Sequence, residues 1–146
     1  MKLRDILQRK GNEVVTISQD RPLHDAVRLM VENNIGAVLV RNETDAIVGI
    51  LSERDILREA HQDCQRLKTV LVKDVMTLDL IVGQPDDDVT YAEQVMIRNR
   101  IRHLPIFEEG MLVGMISMRD IVQAQLSDIR VENRYLYDYI TGKYPG

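Results

Sequence analysis

The sequence predicts an α+β fold of two pseudo-symmetric β-α-β-β-α repeats, packed through their sheets, with a short N-terminal helix and a long C-terminal helix. Two internal echoes predict it. Gly49-Ile50-Leu51-Ser52-Glu53-Arg54-Asp55-Ile56 returns as Gly114-Met115-Ile116-Ser117-Met118-Arg119-Asp120-Ile121, an offset of 65 (114 − 49). Upstream, Leu23, Ala26, Met30 and the stretch Ile35 to Val40 are matched by Val89, Ala92, Met96 and Ile101 to Ile106, an offset of 66 (89 − 23). The lost residue falls between Arg41 and Val48, where a loop is the cheapest place to lose one. A repeat of this period is one supersecondary unit that cannot bury its apolar face alone and stacks on its copy. Two copies also create two related crevices. The repeats are expected to occupy residues 1–70, with the lead helix, and 71–146, with the C-terminal extension.

Each element has its own signal. Leu3, Ile6 and Leu7 at helical spacing predict a short helix over residues 2–10, broken by Gly11-Asn12. The β-branched run Val14 to Ile17 reads as a strand. Arg21-Pro22 opens a helix whose stripe is Leu23, Ala26, Val27, Met30 and Val31, and Asn33-Asn34 ends it. Gly36 to Val40 and Ile47 to Leu51 are apolar runs around the polar turn Asn42 to Asp45, and Ser52 starts a helix to about Ala60. A polar segment from His61 to about Lys68 leads to the second copy. There Ile81-Val82 is the expected first strand, Asp86 to Asp88 supply helix-start carboxylates, and Val89, Ala92, Val95 and Met96 form the stripe. His103 to Phe107 and Met111 to Ser117 are the paired strands, joined at Glu109-Gly110. The last helix runs on, with Leu126, Ile129, Leu136 and Ile140 near one face, until Thr141-Gly142. Tyr135, Tyr137, Tyr139 and Tyr144 crowd this tail, marking either a contact surface or a segment folded onto its own domain.

Composition narrows the function classes. A net charge of −4 argues against a general electrostatic grip on nucleic acid or anionic membrane, so an anion must be held by a local cluster. The lone Cys64 excludes an internal disulfide and a CxxC site. Arg4, Asp5, Arg9 and Lys10 interrupt any signal-like apolar run, and no stretch approaches the ~20 apolar residues of a membrane span. A cytoplasmic location is expected.

The chemistry concentrates in the duplicated turn. Ser52 and Ser117 each follow an apolar strand and precede a helix, with Asp55 and Asp120 three residues on. Ser-x-x-Asp is a capping-box-like pattern that satisfies orphan helix N–H groups and would alone justify both residue types. The same geometry makes an anion site: a helix N-terminus attracts phosphate, Ser donates to it, and the Asp accepts two ribose hydroxyls. Arg54 and Arg119 stand beside each Asp to counter ligand charge. A cap requires neither the Gly three residues before each Ser nor the Arg between Ser and Asp. Arg100, Arg102 and His103 precede a strand where the first copy has Asn34, Gly36 and Ala37, so the two crevices are expected to differ. The alternative is a solvated helix end offsetting the C-terminal dipole. Gly36 would also let backbone approach a flat ring closely.

At these residues the chain resembles a tandem pair of cystathionine-β-synthase-type (CBS) domains, a Bateman module. Both copies carry Gly-h-h-Ser-x-x-Asp, with h apolar, behind an Ala-x-x-h-Met helix, and the β-α-β-β-α order covers roughly residues 10 to 125. Ile101-Arg102-His103-Leu104-Pro105-Ile106 is similar to the phosphate-contacting strand of the gamma subunit of AMP-activated protein kinase. Lys10-Gly11 with Val14-Val15-Thr16, and the tail Tyr139-Ile140-Thr141-Gly142, resemble small stand-alone bacterial CBS-pair proteins.

The resemblance implies two composite sites. In one, Asp120 holds ribose, Ser117 and Arg119 the phosphate side, and Arg102 with His103 further phosphate oxygens; adenine lies against Val15, Thr16, Ile17, Ile35, Gly36 and Ala37. In the other, Asp55 holds ribose and Ser52 with Arg54 the phosphate side, while Thr77, Ile81, Val82 and Ile101 line the base. Gly36 in place of Arg102 implies unequal phosphate affinity, with the Asp120 site the tighter. The expected function is a non-catalytic sensor of AMP, ADP or ATP, or of NAD(H) or S-adenosylmethionine, acting as a homodimer on an unidentified effector protein. A structural module whose serines and aspartates serve only as caps is the alternative. A nucleotide-processing enzyme is disfavoured, because His24, His61 and His103 are scattered and fit no metal or triad pattern; Asp86 to Asp88 suit a helix start better than Mg²⁺.

Overall fold

The computed structural model describes residues 1–142, without the side chains of 128–132, 135, 138 and 139. The chain divides into two units: Glu13–Ile81, and Met1–Asn12 together with the chain from Val82 onward.

In the first unit β1 (Thr16–Ser18) runs parallel to β2 (Ala37–Arg41), which pairs antiparallel with β3 (Ile47–Ser52). The crossover from β1 to β2 is α2 (Leu23–Asn33), which begins after Pro22 and ends where Asn34 turns left-handed at φ 52°. Pro suits that start, because the first helical turn has no partner for its N–H groups. Helix α3 (Glu53–Gln62) follows β3 directly. Ile17, Leu23, Ala26, Met30, Val38, Val40, Leu51, Ile56 and Val72 form the core of this unit. The segment read as a polar linker folds back onto it: α4 (Arg66–Thr69) and a 3-10 turn, Val72–Asp74, follow α3. Leu23 N–H donates to Val70 O at 2.9 Å and Val72 N–H to Arg21 O at 2.8 Å. Four residues are too few for an apolar period to announce a helix.

The second unit holds α1 (Leu3–Lys10), α5 (Val89–Asn99), β4 (His103–Glu108), β5 (Met111–Ser117) and α6 (Met118–Ile140). β4 and β5 pair antiparallel with His103 opposite Ser117. Ile81-Val82 is not a strand. Parallel pairing here shrinks to one bridge, with Gly83 N–H donating to Pro105 O and Phe107 N–H donating to Gly83 O, both at 2.9 Å. Backbone beyond Gly83 is committed elsewhere: Gln84 N–H donates to Asp87 Oδ2 at 2.8 Å, and Pro85 O accepts Arg4 N–H at 2.8 Å.

Strand and helix bounds otherwise follow the sequence expectation to within a few residues, while the compact units do not follow the order of the repeats along the chain. The two leader segments are exchanged. Helix α1 leads the first repeat yet sits in the second unit, where Leu3, Ile6 and Leu7 are buried. Val72 to Thr77 lead the second repeat yet sit in the first unit, where Thr77 bridges to Ile50. Burying each of the three apolar side chains of α1 stabilises its docking by about 1.5–3 kcal/mol before ordering entropy is subtracted.

Close approach explains the glycines of the repeated motif. A Cβ on Gly49 would lie 2.7 Å from Met76 Sδ and 2.9 Å from Thr77 O, and one on Gly114 would lie 2.6 Å from Leu7 Cδ2. Each glycine makes room for the exchanged leader. The acidic run also serves α1, as partner of its cations rather than as a side-chain cap of α5: Asp86 Oδ1 lies 3.0 Å from Arg4 Nη2, and Asp88 Oδ1 lies 3.1 Å from Lys2 Nζ.

On α6 the side chains of Leu126, Leu136, Tyr137 and Ile140 are exposed. Those of Ile129, Tyr135 and Tyr139, and all of Tyr144, lie outside the described residues.

Candidate functional site

Both repeated turns form the capping arrangement their spacing predicts. In the first unit Ser52 N–H donates to Asp55 Oδ2 at 2.9 Å, Ser52 Oγ donates to the same oxygen at 3.1 Å, and Asp55 N–H donates to Ser52 Oγ at 3.4 Å. In the second, Ser117 N–H donates to Asp120 Oδ2 at 2.8 Å and Asp120 N–H to Ser117 Oγ at 3.0 Å. One carboxylate oxygen of each Asp is therefore fixed by the cap. The other lies outside the cap: among the described residues Asp55 Oδ1 has only Arg58 Nη1 at 3.7 Å, and Asp120 Oδ1 has no hydrogen-bond partner. The carboxylates are 13% and 19% exposed, so they are held in place yet reachable.

The strand ahead of each turn is brought to the same spot. Gly36 O accepts Glu53 N–H at 3.0 Å, and Arg102 O accepts Met118 N–H at 2.8 Å, so residues 36 and 102 are pseudo-equivalent at the helix start. Ala37 lies opposite Ser52 and His103 opposite Ser117. The second unit thus gathers Arg102, His103, Ser117, Arg119 and Asp120 around one helix N-terminus. Arg102 and Arg119 are exposed and make no side-chain hydrogen bond or ion pair among the described residues. The first unit gathers Val15, Thr16, Ile17, Ile35, Gly36, Ala37, Ser52, Arg54 and Asp55, with Thr77 paired to Ile50 two positions before Ser52. Ile17 and Ala37 are buried, which leaves their backbone rather than their side chains for contact with a ring. Ile81 closes the first unit, while Val82 and Ile101 belong to the second. Each composite site implied by the sequence combines residues of both units.

One site residue was missed. Lys10, at the end of α1, places Nζ 2.6 Å from Asp120 Oδ2 and 2.8 Å from Met115 O. Burial pushes the Asp120 carboxyl up, but the Lys10 ammonium, together with the N–H and hydroxyl of Ser117, outweighs it and holds the group below its ordinary value. The sequence signal was weak: a basic residue in a last helical turn reads first as a complement to the helix dipole, and its partner is 110 positions away. His24 and His61 are exposed and lie in the first unit, and His103 lies in the second. Among the described residues no three His, Cys, Asp or Glu side chains cluster as metal ligands, and no helix is long and apolar enough to cross a membrane.

Comparison with known proteins agrees with this fold. The CBS-domain family model matches residues 3–62 and 72–127. The mitochondrial CBS domain-containing protein CBSX3 of Arabidopsis thaliana is 35% identical over 148 residues, covering 96% of this chain and 72% of that protein. Three further curated relatives are longer, and the chain spans 21%, 43% and 58% of their lengths. The crystal structure of the CBS-domain protein ATU1752 from Agrobacterium tumefaciens superposes with a TM-score of 0.82 at 31% identity, covering 85% of this chain and 92% of that one. The CBS pair of protein MJ0100, solved with 5′-methylthioadenosine and S-adenosyl-L-methionine, superposes with a TM-score of 0.75 at 21% identity, covering 88% and 98%. At that identity the likeness is one of fold.

Proposed function

This chain belongs to the CBS-domain family, and we propose that its two Ser-x-x-Asp turns bind the ribose of adenosine-containing ligands, making it a non-catalytic metabolite sensor. The observation that carries this reading is the division of labour within each carboxylate. One oxygen is locked into the helix cap while the other is not used by it, so the acceptor for a ribose hydroxyl is held rigid before any ligand arrives. Such preorganisation lowers the ordering cost of binding. The guanidiniums of Arg102 and Arg119, unpaired among the described residues, support the phosphate side at Asp120, and Arg54 does so at Asp55. AMP, ADP and ATP fit this donor set. NAD(H) and S-adenosylmethionine share the adenosine half, and a CBS pair of the same fold holds the latter.

Binding would act by shifting a conformational equilibrium read by an effector protein. The active form is proposed to be a homodimer. Val31 on α2 and its repeat counterpart Ile97 on α5 are 74% and 64% exposed, an apolar pair that a second copy would cover.

Isothermal titration of AMP, ADP, ATP, NAD(H) and S-adenosylmethionine tests the reading. Asp120→Ala is expected to weaken binding by about 1.5–3 kcal/mol, the range for hydrogen bonds to a charged group. Absence of binding by every ligand at millimolar concentration refutes the sensor and leaves the alternative, in which the turns serve only as caps.

A further inference from the structure

We propose that Lys10 is the specificity-determining cation of the Asp120 site, selecting phosphate-bearing adenosine ligands over neutral or positively charged ones; this rests on the ligand reading above.

The symmetry of the two repeats is broken at one position. Ile50 and Met115 are equivalent residues of the two repeats. Ile50 exchanges two backbone hydrogen bonds with Thr77, at 3.0 and 2.9 Å, so in the first unit this position is closed by a backbone. In the second unit Met115 O accepts from the Lys10 ammonium instead, at 2.8 Å. The same nitrogen continues to Asp120 Oδ2 at 2.6 Å. A side chain with a full positive charge has taken the place of a neutral N–H, three residues before the helix start of a motif otherwise repeated closely.

Its placement is built in. Leu7, one turn back on α1, fills the space that Gly114 leaves open, and Leu3 and Ile6 are buried with it. Helix α1 therefore delivers Lys10 from a fixed base. An ammonium has three donors, and two are used here, leaving one for a ligand oxygen.

The electrostatic consequence is direct. An uncompensated carboxylate that holds a ribose stands within ~6 Å of the attached phosphate, and repulsion between unit charges at that distance, with an effective dielectric of ~20, exceeds tenfold in affinity. Lys10 cancels that repulsion at Asp120. At Asp55 the only ion-pair partner among the described residues is Arg58, 3.7 Å away and 68% exposed, too well solvated to do the same. The two turns share a motif but differ in local charge, so the Asp120 site prefers anions and the Asp55 site tolerates neutral adenosine or a sulfonium.

The test is titration of the full chain in an Asp55→Ala background, which isolates the Asp120 site, with AMP, adenosine and S-adenosylmethionine. Lys10→Met keeps the aliphatic stem and removes the charge; Lys10→Arg keeps the charge. Lys10→Met is expected to weaken AMP roughly tenfold while changing adenosine less than about twofold, and Lys10→Arg to recover most of the AMP affinity. The ratio of S-adenosylmethionine to AMP affinity should rise in Lys10→Met. An unchanged AMP-to-adenosine ratio in Lys10→Met, or an equal loss of both ligands, overturns the assignment. If the wild-type chain binds no ligand, the ligand reading itself falls; if the wild type binds but the background does not, Asp120 is not a ribose site. Either result removes the basis for Lys10.

Discussion

Alanine at the two motif glycines should destabilise the protein unequally, and the inequality follows from what each new Cβ meets. At Gly49 it meets Thr77 O at 2.9 Å as well as Met76 Sδ at 2.7 Å. That carbonyl accepts Ile50 N–H at 3.0 Å, so it cannot retreat without lengthening a backbone hydrogen bond. At Gly114 the obstacle is Leu7 Cδ2 at 2.6 Å, the free end of a side chain that can change rotamer. Overpacking costs about 1–3 kcal/mol, whereas loss of unfolded-state freedom on replacing Gly by Ala returns about 0.4–1 kcal/mol. A displaced rotamer costs about 0.5–1.5 kcal/mol. Gly49→Ala should therefore lose about 1–2 kcal/mol, and Gly114→Ala about 0–1 kcal/mol.

Urea denaturation at constant m-value measures both. For a chain of this length each kcal/mol moves Tm by roughly 2–4 °C, so thermal scans should separate the variants. Hydrogen exchange adds the location. Gly49→Ala should release protection at residues 72–77, and Gly114→Ala at α1. A Gly49→Ala protein as stable as wild type, or protection lost at the other leader in either variant, would refute the exchanged-leader account of the motif glycines.

Two further outcomes are expected. Because Asp120 titrates below its unfolded value of 3.8, its contribution is fully present above about pH 4 and is lost as pH falls through the folded value. Acidification from pH 5 to 3 should cost the wild type more stability than it costs Asp120→Asn, as read from denaturation midpoints; parallel losses contradict this. Light scattering on a sizing column should give twice the 16.8 kDa chain mass, and Val31→Lys with Ile97→Lys should give the chain mass itself; a wild-type monomer ends the dimer proposal.

Much of the fold was legible because it is local. The stripes Leu23, Ala26, Met30 and Val89, Ala92, Met96 follow helical period and are buried as that period requires. The Ser-x-x-Asp turns were legible for the same reason, since a cap joins residues three apart. The missing strand at Ile81-Val82 was not, because its residues satisfy β propensity while the following backbone is claimed by α1 from the far end of the chain. The exchange of leaders between the compact units is non-local in the same way. Nothing in the composition of residues 1–12 says which sheet they dock on, and the glycines opposite Leu7 and Met76 carry part of that information, encoded as a missing side chain.

That non-local step also governs the site. A duplicated motif invites the inference of duplicated function, yet the surroundings of a motif are not duplicated with it. Here the leader of one repeat reaches its neighbouring strand as backbone, and the other as the end of a helix. The leader that ends in the Thr77 bridge closes the Ile50 position with neutral groups, and the helical leader closes the Met115 position with a charge. Hence part of the difference between the two turns lies outside the eight repeated residues, in the segments that precede each repeat. On the proposed ligand reading, a change in leader with the Ser and Asp untouched should change which ligand each turn prefers.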